Sequence, residues 1–204
     1  MIHIVDYGLG NVRAIMNVYY RLGIPACLAS EVRHLDNADH IILPGVGSFD
    51  HAMGLLDRSG LLPTIERLVI GNKVPLLGIC VGMQMLARAS DEGRVAGLGW
   101  IPGNVKAFES HPQASVMPLP HMGWNDVTVQ RHSPIMNNLE MNSRFYFLHS
   151  YYFECENSQN CVAVADYGTQ FSCVVMSGNI YGAQFHPEKS HGWGTQLLKN
   201  FAEL

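Results

Sequence analysis

The sequence is short of charge. Only 15% of its 204 residues are Asp, Glu, Lys or Arg, the formal net charge is −4, and no basic block occurs. A surface that binds nucleic acid by neutralising phosphates needs such a block, so that class is not expected. Long hydrophobic runs are also missing. No stretch approaches the roughly 20 apolar residues that a bilayer span requires. The strand-like Ile2-His3-Ile4-Val5 is preceded by no basic flank and no signal-type apolar segment, so we expect a soluble, cytoplasmic protein without membrane attachment. The cysteines, Cys27, Cys80, Cys155, Cys161 and Cys173, are odd in number and have no C-x-x-C spacing. That argues against a disulfide framework or a structural zinc site, and neither a metal nor a cofactor is expected. Four of the five read as small buried hydrophobes.

What the chain has is apolar content, 48% of the residues, enough to bury a substantial core. Its length suits one domain over residues 1–204, and no internal repeat, low-complexity tract or linker divides it.

The first half alternates strand-like and helix-like segments. Residues 2–5 form an apolar run, and residues 11–22 carry Val12, Ile15, Met16 and Tyr19 at helical spacing, stopped by Gly23 and Pro25. Strands are predicted at 26–29, 40–43 and 74–79, with helical patterns around 50–57 and 61–70 and a further helix over 83–89. Such alternation predicts an α/β fold, a mostly parallel central sheet with helices on both faces. The second half reads as short antiparallel strands at 124–130, 145–148, 151–153, 161–165, 171–176 and 180–184, spaced like hairpins. Residues 102–120 read as turn-rich, and residues 193–201 as a closing helix.

In open parallel sheets, function collects at the carboxyl ends of the strands, and two glycine loops fall there. The first, Gly78-Ile79-Cys80-Val81-Gly82, is the cysteine form of a nucleophile elbow, a sharp strand-to-helix turn that lifts the nucleophile above a sheet. At the start of a helix the unpaired N–H groups favour the reactive thiolate. A thiolate nucleophile needs a proton shuttle. His186, in His186-Pro187-Glu188, is the candidate, because Pro187 keeps it extended and residues i and i+2 of an extended segment share a side. Glu188 is then placed to orient the ring. A metal site from His186, Glu188 and His191 fits no common zinc spacing.

The second loop, Pro44-Gly45-Val46-Gly47, offers a backbone donor. Val46 with Val81 would form an oxyanion hole, and the flanking glycines would let the Val46 peptide reorient on demand; an ordinary tight turn is the bland alternative. Gly8-Leu9-Gly10 also opens a helix after a strand, but Arg13 stands where a dinucleotide fingerprint has its third glycine.

These residues carry a resemblance. Leu77-Gly78-Ile79-Cys80-Val81-Gly82-Met83-Gln84, Pro44-Gly45-Val46-Gly47-Ser48-Phe49 and Gln184-Phe185-His186-Pro187-Glu188-Lys189-Ser190 resemble the class I glutamine amidotransferases. Asp6-Tyr7-Gly8-Leu9-Gly10-Asn11, Pro120-His121-Met122-Gly123-Trp124-Asn125 and Phe145-Tyr146-Phe147-Leu148-His149-Ser150-Tyr151 narrow it to the glutaminase subunits of imidazole glycerol phosphate synthase. Leu148 departs from the valine common there. The resemblance implies that Cys80 attacks the glutamine carboxamide, His186 protonates the departing ammonia and activates water, and Glu188 orients His186. It implies that Gly47, Gln84, His149, Ser150 and Tyr151 line the glutamine pocket, and that Asn11, Trp124 and Lys189 look toward a (β/α)8-barrel cyclase in a heterodimer. That partner would join ammonia to a nucleotide intermediate in histidine biosynthesis. The same glutaminase chemistry would also serve an amidine-forming enzyme of surface-polysaccharide synthesis. A partner-independent γ-glutamyl hydrolase or cysteine peptidase, or a binding subunit with a vestigial triad, are the rival readings.

Overall fold

The computed structural model describes residues 1–139 and 143–204. The first half builds a parallel sheet from β1 (Ile2–Val5), β2 (Ala26–Ala29), β3 (His40–Gly45) and β4 (Leu76–Cys80). Between and after these strands run the helices α1 (Val12–Leu22), α2 (Phe49–Arg58), α3 (Leu62–Glu66) and the short α4 (Val81–Gln84). The rest supplies β5 (Gly103–Ala107), β6 (His121–Asp126), β7 (Thr128–Val129), β8 (Arg144–His149), β9 (Tyr151–Cys155), β10 (Cys161–Asp166), β11 (Gln170–Ser177), β12 (Ile180–Ala183) and the closing α5 (His191–Ala202).

The main sheet runs β2-β1-β3-β4-β12-β11-β10-β7. Pairing is parallel from β2 to β12 and antiparallel beyond it. The connection from β1 to β2 moves one way along the sheet and that from β3 to β4 moves the other. Right-handed crossovers in opposite directions put their helices on opposite faces. Hence α1 and α2 cover different sides, and α5 joins α1, where the Tyr19 hydroxyl donates to the Leu198 carbonyl at 3.0 Å. With both faces covered, the central strands are apolar throughout. Ile41, Ile42, Leu43, Leu76 and Leu77 are all fully buried, as buried parallel strands require.

Three local expectations differ from what forms. The predicted 83–89 helix stops after one turn. The carbonyls of Met85, Leu86, Ala87 and Arg88 accept instead from the N–H groups of Leu98, Ile101, Gly99 and Gly97 at 2.8–3.1 Å, so a returning segment satisfies them without a helix. In the turn-rich 102–120 stretch, residues Gly103–Ala107 pair antiparallel with β9. Val105 is the one large apolar residue there, so alternation left little trace. The neighbouring strands β8 and β9 do not form a hairpin with each other. β8 pairs with β6 as a separate two-stranded ribbon, whereas β9 joins β5 and β11.

Candidate active site

At the carboxyl end of β4 the chain turns sharply at Cys80, which has φ 55° and ψ −114°. A positive φ is strained for a residue with a Cβ. The turn is held by close backbone contact that only glycine permits. A Cβ on Gly78 would lie 2.6 Å from the Gly82 carbonyl oxygen, and one on Gly82 would collide with the Leu43 carbonyl. This corner leaves the Cys80 sulfur in a cavity wall, 3% exposed. The Gln184 amide donates toward it at 3.9 Å, and the thiol faces the Leu148 carbonyl, also at 3.9 Å.

His186 follows β12, the neighbour of β4. It is extended (φ −100°, ψ 97°), as a residue before proline should be. The Pro187–Lys189 segment then forms a 3-10 turn, so Glu188 reaches His186 by a fold-back rather than along an extended strand. His186 Nδ1 donates to Glu188 Oε1 at 2.9 Å, and the Asn11 amide donates to the same oxygen at 2.8 Å. The ring's other nitrogen is left for the cavity. The loop is clamped by β8: the His186 N–H donates to the Tyr146 carbonyl at 2.9 Å, and the Ser190 hydroxyl accepts from the Tyr146 N–H at 2.9 Å. Beneath it Phe185 stacks on Phe145, centroids 3.8 Å apart.

Electrostatics tie the three residues together. Burial by itself would lower the pKa of His186, but the Cys80 sulfur and the Glu188 carboxylate outweigh it and push it up to about 10. Burial would raise Glu188, yet His186 and the Asn11 amide hold it below the ordinary carboxylate value. Both directions describe one imidazolium–carboxylate pair, with side chains 4% and 1% exposed.

The cavity has a volume of about 320 Å³ and is lined by Cys80, Val81 and His186 together with Val46 and Gly47 of the second glycine loop. Gln84, His149, Ser150 and Tyr151 also line it, as do Asn11 and Lys189. Gly47 has φ 80°, a left-handed conformation that glycine adopts freely. Glu188 lies behind His186 rather than in the wall. Trp124 is elsewhere, 41% exposed and stacked on His191, centroids 5.3 Å apart. Gly10 lies where a Cβ would come 2.7 Å from the Pro44 side chain, so this glycine after β1 serves packing against the second loop.

Sequence reasoning missed Glu92, which lines the cavity, accepts from the Phe49 N–H at 2.8 Å and has its pKa raised by burial. It sits in a loop without a motif, so nothing local marked it. Chemically, the site joins a thiol, a carboxylate-held imidazole and a second carboxylate around one cavity, and the thiol and imidazole are the groups that acyl transfer through a thioester uses.

The glutamine amidotransferase class-I family model matches residues 3–204. The imidazole glycerol phosphate synthase subunit HisH of Bdellovibrio bacteriovorus is 55% identical over 204 residues, the full length of both chains. The protein of the same name from Leptospira interrogans is 50% identical, again over both full lengths. Among solved structures, PurLQS from Thermotoga maritima superposes with a TM-score of 0.76 at 20% identity, covering 99% of this chain and 97% of that one. A second structure, of a glutamine amidotransferase, gives 0.73 at 20% identity with the same coverage. These two share the fold. By its sequence the chain belongs to the class I glutamine amidotransferase family.

Proposed function

We propose that this protein is the glutaminase subunit of an imidazole glycerol phosphate synthase, releasing ammonia from glutamine for a partner cyclase. One observation carries the chemistry: a strained Cys80 corner shares a cavity with a His186 held by Glu188. The destination rests on full-length relatives of that name at 55% and 50% identity.

The Cys80 sulfur attacks the side-chain carboxamide carbon of glutamine. The N–H groups of Val81 and Val46 hold the oxyanion. His186 gives its proton to the leaving nitrogen, the C–N bond breaks, and ammonia departs, leaving a thioester. His186 then takes a proton from water, whose oxygen attacks the thioester carbon; the C–S bond breaks and glutamate leaves. Glu188 fixes the ring throughout, through the 2.9 Å bond to Nδ1. Glu92 is the counter-charge for the substrate's α-ammonium group. Gln84, Ser150 and Tyr151 complete the pocket.

Free ammonia in neutral water is mostly protonated and no longer nucleophilic, so only a dry passage into a partner preserves it. A (β/α)8-barrel cyclase bound as a heterodimer, facing Asn11, Trp124 and Lys189, provides the acceptor. The Gly45 and Gly47 hinges let the Val46 peptide complete the oxyanion hole only when that partner is seated, which suppresses idle hydrolysis. Full glutaminase rates from the isolated subunit would refute this gating.

The test is Cys80→Ala in the complex purified from native extract, its partner identified by mass. Turnover on glutamine should vanish while turnover on ammonium salts persists. Retained glutamine turnover would sink the chemistry, and a partner other than a barrel cyclase would redirect the ammonia.

A further inference from the structure

We propose that His121 is a positioning residue for the Cys80 chemistry, the first buried link of a directional hydrogen-bond chain that holds the amide pair Gln84–Gln184 against the sulfur. This rests on the glutaminase reading above and adds residues that the resemblance did not assign. The chain begins at Asn125, whose amide donates to the Asp166 carbonyl at 2.8 Å and to His121 Nε2 at 3.2 Å. His121 Nδ1 lies 3.0 Å from His149 Nε2, and His149 Nδ1 lies 2.8 Å from the Tyr151 carbonyl. The same carbonyl accepts from the Gln84 amide at 3.0 Å. Gln84 donates also to Gln184 Oε1 at 3.1 Å, and the Gln184 amide points at Cys80 Sγ.

The direction of every bond follows from one fixed end. A carbonyl oxygen only accepts, so His149 carries its proton on Nδ1 and accepts on Nε2. His121 must then donate from Nδ1 and accept from Asn125 on Nε2. Each imidazole is neutral and locked in one tautomer. A protonated ring at either place would set donor against donor. Both rings are nearly fully buried, and burial lowers their pKa values, to about 4 for His121 and about 3 for His149.

Packing alone does not account for a histidine at 121. Its ring is sandwiched between Tyr167 (4.1 Å) and Phe147 (4.9 Å), a slot that a phenylalanine would fill without the cost of burying two polar nitrogens. The nitrogens earn their place by linking strand to strand. They join β6, which has no main-chain pairing to the large sheet, to the Tyr151 carbonyl and through it to the two glutamines under the nucleophile. Without them His149 Nε2 loses its donor, its ring is no longer held with Nδ1 on the Tyr151 carbonyl, and Gln84 and Gln184 gain freedom to turn away from the sulfur.

The test uses the full chain, alone and with its synthase partner. His121→Phe keeps the stack and removes both nitrogens, and His121→Asn restores a donor near the Nδ1 position. In the complex, His121→Phe should lower kcat for glutamine about tenfold or more with KM changed less than about threefold, and His121→Asn should recover most of the loss. In the isolated protein, iodoacetamide alkylation of Cys80, followed by peptide mass, should slow several-fold in His121→Phe and recover in His121→Asn. Unchanged Cys80 alkylation in a folded His121→Phe protein would overturn the proposal. So would parallel losses in both variants that follow melting temperature alone. If His121→Phe does not fold, Asn125→Ala at the partly exposed head of the chain should give a smaller slowing of the same sign, and no slowing would overturn it too. A wild-type complex that hydrolyses no glutamine defeats the glutaminase reading instead, and the alkylation arm still judges the chain.

Discussion

Replacing Glu188 by glutamine separates the carboxylate's charge from its shape. The glutamine oxygen can still accept from both His186 Nδ1 and Asn11, which now bond a single carboxylate oxygen at 2.9 and 2.8 Å. The ring therefore keeps its tautomer and position, and what disappears is the charge opposite the imidazolium. His186 is raised from 6.5 to about 10, which at about 1.4 kcal/mol per pH unit is roughly 5 kcal/mol, against burial. The Cys80 sulfur and the carboxylate share that support. Losing the carboxylate's part should cost the imidazolium roughly 2–3 kcal/mol, or about 30- to 150-fold in the steps that need it. Glutamate release in the complex measures this, with turnover on ammonium salts as the control that must not change. A Glu188→Gln enzyme within about threefold of wild type would refute the assignment of Glu188. Stability follows the same pair. A histidine whose pKa is raised on folding stabilises fully below 6.5 and loses that contribution as pH climbs through about 10. Glu188, lowered on folding, contributes above 4.5 and loses it as pH falls through its folded value. Glu188→Gln should therefore flatten the alkaline decline of melting temperature between pH 6.5 and 10.

Other substitutions test other parts of the site. Glu92→Gln removes the negative charge of a cavity-lining carboxylate and should raise KM for glutamine about tenfold or more, with kcat changed far less; an unchanged KM would remove Glu92 from substrate binding. Gly82→Ala drives a Cβ into the Leu43 carbonyl, backbone against backbone, and should cost several kcal/mol, about the upper range for single substitutions. A soluble variant melting like wild type would contradict that geometry. His121 and His149 have pKa values lowered by burial, so their contribution is present above 6.5 and lost as pH falls toward about 4 and about 3. Between pH 6.5 and 5 each should cost about 1.4 kcal/mol per pH unit, and His121→Phe should make the decline in urea midpoint shallower over that range. Chelators should leave glutamine hydrolysis unchanged, which steady-state rates in EDTA would check.

The parallel half of the fold was legible because its signals are local. Buried strands such as Leu76–Cys80 read as continuous apolar runs, and α1 showed its apolar face at helical spacing and its stop at Gly23. The Cys80 corner was legible for a related reason, since glycines two residues either side are what a strand-to-helix reversal needs. The pairing of His186 with Glu188 was also expected, although a 3-10 turn produces it where an extended segment was foreseen.

Pairing partners were not legible. Nothing local distinguishes a β8 that pairs with β6 from one that pairs with β9, because both choices satisfy the same alternation. Nor could spacing place Glu92 in the cavity wall, separate Trp124 from it, or join His121 to His149 and on to Cys80. Those juxtapositions link residues tens to more than a hundred positions apart, and only the packed sheet brings them within hydrogen-bond reach. Local chemistry and periodicity thus determined from sequence alone the fold class and the three residues proposed for the chemistry. Tertiary structure decided which of them meet, through which oxygen and tautomer, and what holds them there, because hydrogen-bond direction and burial exist only once distant segments share one space.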